Sequence, residues 1–424
     1  MPTQQEDVSS VRTQQEGVSS VPTQQEGVSS VRIMIMAGGT GGHVFPALAL
    51  AGELRAQGCE IFWLGVPGGF ETTTVPAAGF AMEWVTLQGV RRSGIKRLLL
   101  APLQIGRAMW QVARILRRRR PALVIGMGGF VSGPGGITAR LLGIPLVIHE
   151  QNRIPGLTNR ILARIANRVL VAYPDTLRHH AAIHVGNPVR PEIAAIPPWS
   201  EAGAGQTSPP WSEAGAERTS PPWSEAGAGR TSPPWSEAGA GRTSLNLLVV
   251  GGSLGAEALN RELPLALAAL PLALRPQVRH QAGKGKLEAT QAAYRAAGIS
   301  AEVILFVEDM AAAYHWADLV VCRAGALTIA ELTAAGRAAI LVPYPYAVDD
   351  HQTANAEWLV ACGAARLVPQ QHFAEGKLVA ALQQLLSDPA QLRVMAEQAR
   401  AQARPHAAAQ AAEYCFEVLG FARF

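Results

Sequence analysis

The stretch Arg32–His43, RIMIMAGGTGGH, decides the fold of this chain. Its first part, Arg32–Ala37, is an apolar run typical of a strand buried in a parallel sheet. Glycines follow at once in Gly38–His43, and Val44–Gln57 has helical spacing. Strand, glycine turn and helix in this order begin a βαβ unit. The pattern predicts a doubly wound α/β domain.

The same order recurs in the second half of the chain, where Leu245–Val250 (LNLLVV) precedes Gly251–Gly255 and a helical stretch from Ala256. Further strands fit both halves, at 61–65, 123–126, 146–150, 168–172, 277–281, 303–306, 319–322, 339–342 and 366–368. Helical patterns lie between most of them, so we expect two Rossmann-like, doubly wound parallel-sheet domains facing a central cleft. Ligands of such sheets bind at the carboxyl ends of the strands, which makes the cleft the expected site.

The composition excludes several other classes of protein. With 48% hydrophobic and 16% charged residues among 424, the chain is not disordered as a whole. Its four cysteines are too scattered for a disulfide framework or a zinc site, which favours a reducing cytoplasm. The sequence has neither an apolar run long enough for a membrane span nor a secretory signal at its N-terminus.

Two sets of tandem repeats stand apart from the rest of the sequence. Residues 2–31 hold three ten-residue copies, and residues 197–244 hold four twelve-residue copies with one tryptophan each, at Trp199, Trp211, Trp223 and Trp235. Their linker-like composition predicts duplications at exposed sites, with contact of the tryptophans to a membrane or partner as the alternative. Without both repeat segments the net charge rises from +5 to +10, which favours an anionic partner.

The predicted division of the chain follows from these features. It comprises a disordered repeat extension at 1–31, an N-terminal domain at 32–187, an interdomain linker at 188–244, a C-terminal domain at 245–400, and a terminal helix at 401–424 that packs back on the N-terminal domain.

Two glycine-rich loops in the N-terminal half are candidate anion sites. Gly38–His43 can offer backbone amides and a helix N-terminus, although a plain glycine turn is the alternative. It lacks the last glycine of GxGxxG and a Walker lysine, which disfavours a Rossmann dehydrogenase and a P-loop ATPase. His43 is either a general base or a capping residue. Gly126–Gly136 holds six glycines and is either a second phosphate loop or a flexible one.

Three loops in the C-terminal half also follow predicted strands. Gly251–Gly255 matches GxSxG, but Asp349, Asp350 and His351 are adjacent in sequence and suit a hydrolase triad poorly. The segment 323–331 can hold a diphosphate, with Glu331 accepting from a ribose, or it is a core helix in which the acid has no such role. In the segment 343–355, Gln352 or Asn355 can bind a sugar.

The basic run Arg114–Arg120, RILRRRR, ends a predicted helix that begins near Leu98. It suits either the helix dipole and solvent or an anionic membrane surface. Nucleic acid is disfavoured, because basic and aromatic residues do not interleave and no known binding motif is present.

Together the loops resemble the MurG family of glycosyltransferases. The resemblance rests on MAGGTGGHVFPALALA, GMGGFVSGPGG, HEQN, GNPVRPE, GGSLGA, DMAAAYHWADLVVCRAGALTIAEL and DDHQTANAE, and covers nearly all of 32–420 in the family's order. It implies the GT-B fold and inverting transfer of GlcNAc from UDP-GlcNAc to the C4 hydroxyl of MurNAc-pentapeptide on undecaprenyl diphosphate. It implies no metal and no cofactor, because glycine loops and helix dipoles stabilise the leaving diphosphate instead.

The resemblance also implies roles for individual residues. The catalytic base is His43, with Glu150 and His149 as competitors. Contacts to UDP-GlcNAc are implied for Thr40, Gly41, Gly42, Asn152, Arg190, Ser253, Val307, Ala326, Leu327, Thr328, Ile329, Ala330, Glu331 and Gln352. Contacts to the acceptor diphosphate are implied for Gly128, Gly129, Ser132, Gly133, Gly135 and Gly136. Pro67–Gly79 departs from the family's acidic form and is expected to lie far from the site.

The family further implies a peripheral enzyme at the cytoplasmic face of the inner membrane, held through Leu98–Arg120. Its products serve the cell wall, cell shape and division, so proteins of those processes are possible partners, and no nucleic acid is expected. The alternatives are a UDP-sugar 2-epimerase and a non-catalytic UDP-sugar-binding protein. The basic run and the second glycine loop disfavour the epimerase.

Overall fold

The computed structural model describes residues 30–86, 95–199, 244–252 and 255–421. The expectations for most of the two repeat segments and for Ser253 therefore concern residues outside the described ones. Within this part of the chain, two parallel sheets lie one after the other in sequence.

The N-terminal sheet has seven parallel strands in the order β3-β2-β1-β4-β5-β6-β7. Its strands are β1 (Arg32–Met36), β2 (Glu60–Gly65), β3 (Ala81–Trp84), β4 (Leu123–Gly126), β5 (Leu146–Glu150), β6 (Arg168–Val171) and β7 (Ile183–His184). The sequence prediction lacked β3 and β7. Both are short edge strands without a continuous apolar run, because an edge strand is not buried on both faces.

The helices of this domain and its connections are α1 (Gly41–Ala56), α2 (Glu71–Ala77), α3 (Ile95–Arg119), α4 (Ser132–Leu141), α5 (Leu157–Leu162) and α6 (Pro191–Ala194). Helix α3 is the longest of them at 25 residues. Among the described residues, no helix is long and apolar enough to cross a membrane.

The C-terminal sheet has six parallel strands in the order β10-β9-β8-β11-β12-β13. Its strands are β8 (Asn246–Val250), β9 (Gln277–Gln281), β10 (Glu302–Ile304), β11 (Leu319–Cys322), β12 (Ala338–Leu341) and β13 (Ala365–Leu367). All six were predicted, with ends that differ by two residues or fewer. The helices are α7 (Glu257–Ala268), α8 (Leu287–Ala296), α9 (Met310–Trp316), α10 (Ala326–Ala335), α11 (His351–Ala361), α12 (Lys377–Leu386), α13 (Pro389–Ala401) and α14 (Ala407–Val418).

Each sheet is covered by apolar side chains on both faces. One face of the N-terminal sheet packs against α1 and against α14, whose Ala411, Cys415 and Phe416 lie in that core. The other face packs against α3, α4 and α5. The last helix thus crosses back to the N-terminal domain.

The segment just after Pro188 is not a free linker. Val189, Ile193 and Ile196 are buried in the core of the C-terminal domain. The indole N–H of Trp199 donates to the Asp318 carboxylate at 3.1 Å. The predicted linker boundary at 188 is therefore wrong, because apolar residues between 188 and the repeats pack against one face of the second sheet and belong to the core of the C-terminal domain.

Candidate active site between two switch points

The strand order reverses at one place in each sheet, between β1 and β4 and between β8 and β11. At such switch points the two adjacent connections leave on opposite sides of the sheet and open a crevice. The loops after these four strands contain Gly38–Thr40, Met127–Val131, the described part of the third glycine turn at Gly251–Gly252, and Arg323–Gly325. The sheet topology thus brings four of the predicted ligand loops to the two crevices.

The first glycine loop is shaped by a carboxylate that the sequence analysis placed elsewhere. Glu71, which is 1% exposed, accepts from the Gly39 N–H at 3.0 Å and from the Val66 N–H at 3.1 Å. A side chain at Gly38 would collide with this carboxylate. The expectation that 67–79 lies far from the site is wrong, because α2 turns its first residue back beneath the loop.

His43 lies in the first turn of α1, directly against the second glycine loop. A Cβ at Gly128 would come within 2.6 Å of the imidazole, so this backbone must be glycine. Burial and, to a smaller extent, the neighbouring His351 lower the pKa of His43 to about 4 against the opposing effect of Glu71. His43 is therefore neutral at pH 7 and can accept a proton. Its Nδ1 lies 3.4 Å from the Thr40 hydroxyl.

The second glycine loop is shorter than predicted, because α4 begins at Ser132. Ser132 is fully buried, and its hydroxyl donates to the Gly128 carbonyl at 2.7 Å. Gly135 and Gly136 face Met36 and Leu162, where a Cβ would collide. The implied diphosphate contacts of these three residues are not supported, since close helix packing uses them.

Gly129 and Gly133 are the partly exposed members of the implied acceptor set. Gly128 is buried beneath His43. Any contact of this loop with an anion is therefore confined to a narrow strip at the N-terminus of α4.

Glu150 does not fit the role of a catalytic base. Its carboxylate is 2% exposed and accepts from the Asn152 N–H at 2.9 Å, the Gly156 N–H at 3.1 Å and the Asn159 amide at 2.9 Å. Burial raises its pKa, and these hydrogen bonds oppose the shift. The second competitor, His149, is fully buried with Nε2 2.8 Å from the Gly186 carbonyl. Both residues shape loops.

The loop that Glu150 organises reaches across to the C-terminal domain. The Asn152 side chain accepts from the Asn355 amide at 3.2 Å, and the Arg153 N–H donates to Asn355 at 2.9 Å. Asn355 is fully buried, so it joins the domains and cannot bind a sugar from this position. Asn152 is partly exposed at the same junction.

The C-terminal switch point holds the residues implied for the nucleotide. Arg190 and Glu331 form an ion pair at 2.8 Å, although the resemblance gave them separate contacts. The Tyr314 hydroxyl donates to the other oxygen of Glu331 at 3.2 Å. The guanidinium of Arg190 also lies over the Phe45 ring, 5.3 Å from its centroid. Because Phe45 is two residues after His43 on α1, this contact connects both switch points.

The segment 326–331 begins α10, with Gly325 as its N-cap. Ala326 and Ile329 face the core, whereas Leu327, Thr328 and Ala330 are partly exposed. Among the apolar and hydroxyl side chains of Ala326–Ala330, these three are therefore the most accessible to a ligand.

Gln281, at the end of β9, connects the glycine turn after β8 to the implied contact Val307. Its amide donates to the Gly252 carbonyl at 2.9 Å and accepts from the Val307 N–H at 3.1 Å. The Val307 N–H is thus already bonded. Gln352 accepts from the Tyr344 N–H at 2.9 Å through its side chain.

The sequence analysis missed Glu71, Gln281 and Tyr314. Gln281 offered a weak signal, since it is a polar residue at the end of a predicted strand. Glu71 and Tyr314 lie on helices far from the glycine loops in sequence, and no local pattern could have assigned them.

The surface of α3 has two parts. Leu103, Ile105 and Trp110 are exposed, and Arg114 and Arg117 are exposed beside them. Two further arginines are not simply solvated: Arg118 and Arg119 both pair with the Glu83 carboxylate, the latter at 2.6 Å.

Comparison with known proteins matches both domains to one class of enzyme. The glycosyltransferase family 28 N-terminal domain matches residues 33–171, and the family 28 C-terminal domain matches residues 246–411. The fold and these matches make the chain a glycosyltransferase with two Rossmann-like domains.

Full-length relatives define the particular family. A UDP-N-acetylglucosamine–N-acetylmuramyl-(pentapeptide) pyrophosphoryl-undecaprenol N-acetylglucosamine transferase of Pseudomonas aeruginosa is 48% identical over 91% of this chain and 98% of its own. The enzyme of the same name from Alkalilimnicola ehrlichii is 49% identical over the same shares. The crystal structure of Acinetobacter baumannii MurG superposes with a TM-score of 0.69 at 39% identity, covering 91% of this chain and 99% of that one. The chain belongs to the MurG family.

Proposed function

We propose that this enzyme transfers GlcNAc from UDP-GlcNAc to the C4 hydroxyl of MurNAc-pentapeptide on undecaprenyl diphosphate, with inversion at the anomeric carbon. The observation that carries the proposal is the pairing of the two switch points. A neutral imidazole, His43, lies at the N-terminal one, and the Arg190–Glu331 pair lies at the C-terminal one. The relatives that match over nearly their whole length carry this activity in their names.

The chemistry follows from those positions. His43 takes the proton of the acceptor hydroxyl while the oxygen of that hydroxyl attacks the anomeric carbon. The bond from that carbon to the diphosphate breaks, and UDP leaves with the bonding electrons. Glu331 accepts from the ribose hydroxyls. Arg190, the N-terminus of α10 and the Gly251–Gly255 turn stabilise the diphosphate charge.

Glu150 has a different role in this scheme from the one the resemblance implied. It holds the 152–159 loop, and through Asn152 it fixes the junction with Asn355. It is therefore a positioning residue. Thr40, Gly41 and Gly42 lie next to His43 at the start of α1. They line the position where the GlcNAc of the donor meets the acceptor hydroxyl.

The acceptor is a lipid, and α3 supplies a surface that suits one. Its exposed Leu103, Ile105 and Trp110 are apolar, and the exposed Arg114 and Arg117 are cationic. An apolar face with a basic rim binds an anionic membrane surface. The proposed location is accordingly the cytoplasmic face of the inner membrane, where proteins of cell-wall synthesis and division can dock.

The experiment is to measure UDP release from UDP-GlcNAc with and without a lipid-linked MurNAc-pentapeptide diphosphate. We expect release that depends on the acceptor, with GlcNAc found on the lipid product. Release without acceptor would contradict the proposal in favour of an epimerase or a hydrolase. Binding of UDP with no release would contradict it in favour of a non-catalytic binding protein.

A further inference from the structure

Glu331 is a buried carboxylate with one hydrogen bond to each oxygen. It is 5% exposed, and Oε1 accepts from Arg190 while Oε2 accepts from Tyr314. A carboxylate offers about four acceptor positions, so each oxygen keeps one for a further donor. The two neighbouring hydroxyls of a ribose are such donors. The carboxylate can therefore accept from a nucleotide without losing its hydrogen bond to Tyr314.

Tyr314 is the more rigid of the two partners. Its ring is fully buried in the core that α9 and α10 share. Helix α9 is itself fixed at its start, where Asp309 caps it by accepting from the Ala312 N–H at 2.9 Å. Burial, together with the charge of Glu331, raises the pKa of Tyr314 well above its ordinary value, so the hydroxyl keeps its proton.

Arg190 is held less rigidly against Glu331 than Tyr314 is. Its side chain is 24% exposed, and its buried Nε has no partner among the described residues. In the proposed function Arg190 also serves the diphosphate. When the diphosphate draws the guanidinium toward itself, Tyr314 is the donor that still fixes the carboxylate.

We propose that Tyr314 is a positioning residue that holds Glu331 in the orientation that receives both ribose hydroxyls. It thereby determines the preference of the enzyme for a ribonucleotide donor over a deoxyribonucleotide. The inference rests on the proposed function, because it takes Glu331 to be the ribose contact of UDP-GlcNAc.

The test compares binding of UDP and 2′,3′-dideoxy-UDP to the full chain by calorimetry. We expect the unmodified protein to prefer UDP by at least about tenfold, since hydrogen bonds to a charged group are strong. Tyr314→Phe keeps the ring that fills the core and removes only the hydroxyl. We expect it to reduce this preference by about threefold or more, mainly by weakening UDP.

Tyr294→Phe is the matched control. Tyr294 is also a buried tyrosine of this domain, and its hydroxyl lies 2.8 Å from His280 Nδ1, on the opposite face of the sheet from Tyr314. This variant loses a buried hydrogen bond to a neutral partner, so it should lower the melting temperature as well. Its preference for UDP over the dideoxy nucleotide should stay that of the unmodified protein.

Glu331→Gln separates failure of this inference from failure of the proposed function. If the unmodified protein binds both nucleotides equally well, Glu331 is not the ribose contact and the role of Tyr314 is overturned, whereas the proposed function fails only if acceptor-dependent UDP release is absent. If Glu331→Gln abolishes the preference but Tyr314→Phe retains it fully, the positioning role of Tyr314 is overturned.

Steady-state kinetics distinguish a positioning role of Tyr314 from a general effect on the fold. Tyr314→Phe should raise the KM for UDP-GlcNAc and leave the KM for the lipid acceptor unchanged. An equal rise in both KM values would overturn the positioning role, because it would indicate a general disturbance of the fold.

Discussion

The buried carboxylates of the two domains are held in different ways. In the N-terminal domain, Glu71 and Glu150 accept mainly from backbone N–H groups of the loops they adjoin. In the C-terminal domain, Glu331 accepts from the side chains of Arg190 and Tyr314. Glu71 and Glu331 each accept one hydrogen bond per oxygen, so the number of bonds does not distinguish them. The kind of donor does, because backbone donors tie a carboxylate to the conformation of its loop, whereas side-chain donors can reorient when a ligand binds, and this difference separates scaffold from site in otherwise matching domains.

The largest effect expected from this distinction is on turnover. His43→Ala should lower acceptor-dependent UDP release by about 10²–10⁴-fold, because it removes the proton acceptor. UDP binding, measured separately, should stay nearly the same. The companion variant Glu150→Gln should lose less than about tenfold once the folded fraction is taken into account. A larger loss of turnover in Glu150→Gln than in His43→Ala would assign the role of catalytic base to Glu150.

The second effect is on stability. Glu150→Gln places an amide NH₂ group opposite backbone N–H groups, which can only donate, so hydrogen bonds are lost. The variant should therefore cost about 2 kcal/mol of unfolding free energy. Glu71→Gln should behave in the same way. Glu331→Gln should cost less than about 1 kcal/mol, because the Tyr314 hydroxyl can rotate and accept from the new amide. Urea unfolding measures all three variants, and equal losses would remove the distinction between scaffold and site.

The third effect is on the pH dependence of stability in the N-terminal domain. Burial lowers the pKa of His149 from 6.5 to about 4, and its hydrogen bond to Gly186 opposes the shift. Between these two pKa values, His149 is protonated in the unfolded chain but not in the native chain. The free energy of unfolding therefore falls as the pH drops from about 6.5 to about 4. At pH 5 this residue should account for about 2 kcal/mol.

His149→Gln provides the matched variant for this titration. A glutamine amide can still donate to the Gly186 carbonyl, but it does not titrate. The difference in melting temperature between pH 7 and pH 5 should therefore be smaller in the variant. An unchanged difference would show that His149 is not one of the groups responsible.

The smallest effect is expected in the repeat region, outside both sites. Removing 197–232 joins Ile196 to Pro233, so that the PPWS of the last copy stands where Trp199 now donates to Asp318. Kinetic constants should stay within about twofold, because loop length changes closure entropy only slowly. In the shortened chain, Trp235→Ala should lower the melting temperature. Lost activity in the shortened chain itself would give the repeats a role in domain movement.

Much of the fold could be predicted from sequence because most strands are buried on both faces. All six strands of the C-terminal sheet and five of the N-terminal sheet were predicted, most of them from apolar runs. Edge strands such as Ala81–Trp84 lack that signal, since one side of an edge strand is not paired and its side chains are less buried. The boundary at 188 was misplaced for a related reason: Ile193 and Ile196 are too few to signal membership of a distant core.

The sequence by itself determined the two βαβ domains, the glycine loops and the family, because these depend on local periodicity and on contiguous motifs. Only the tertiary structure decided which polar residues are scaffold and which remain available. Glu71, Glu150 and Glu331 are the same residue type in sequence. Their roles differ because the fold places backbone N–H groups of loops around Glu71 and Glu150, and side chains of other segments around Glu331.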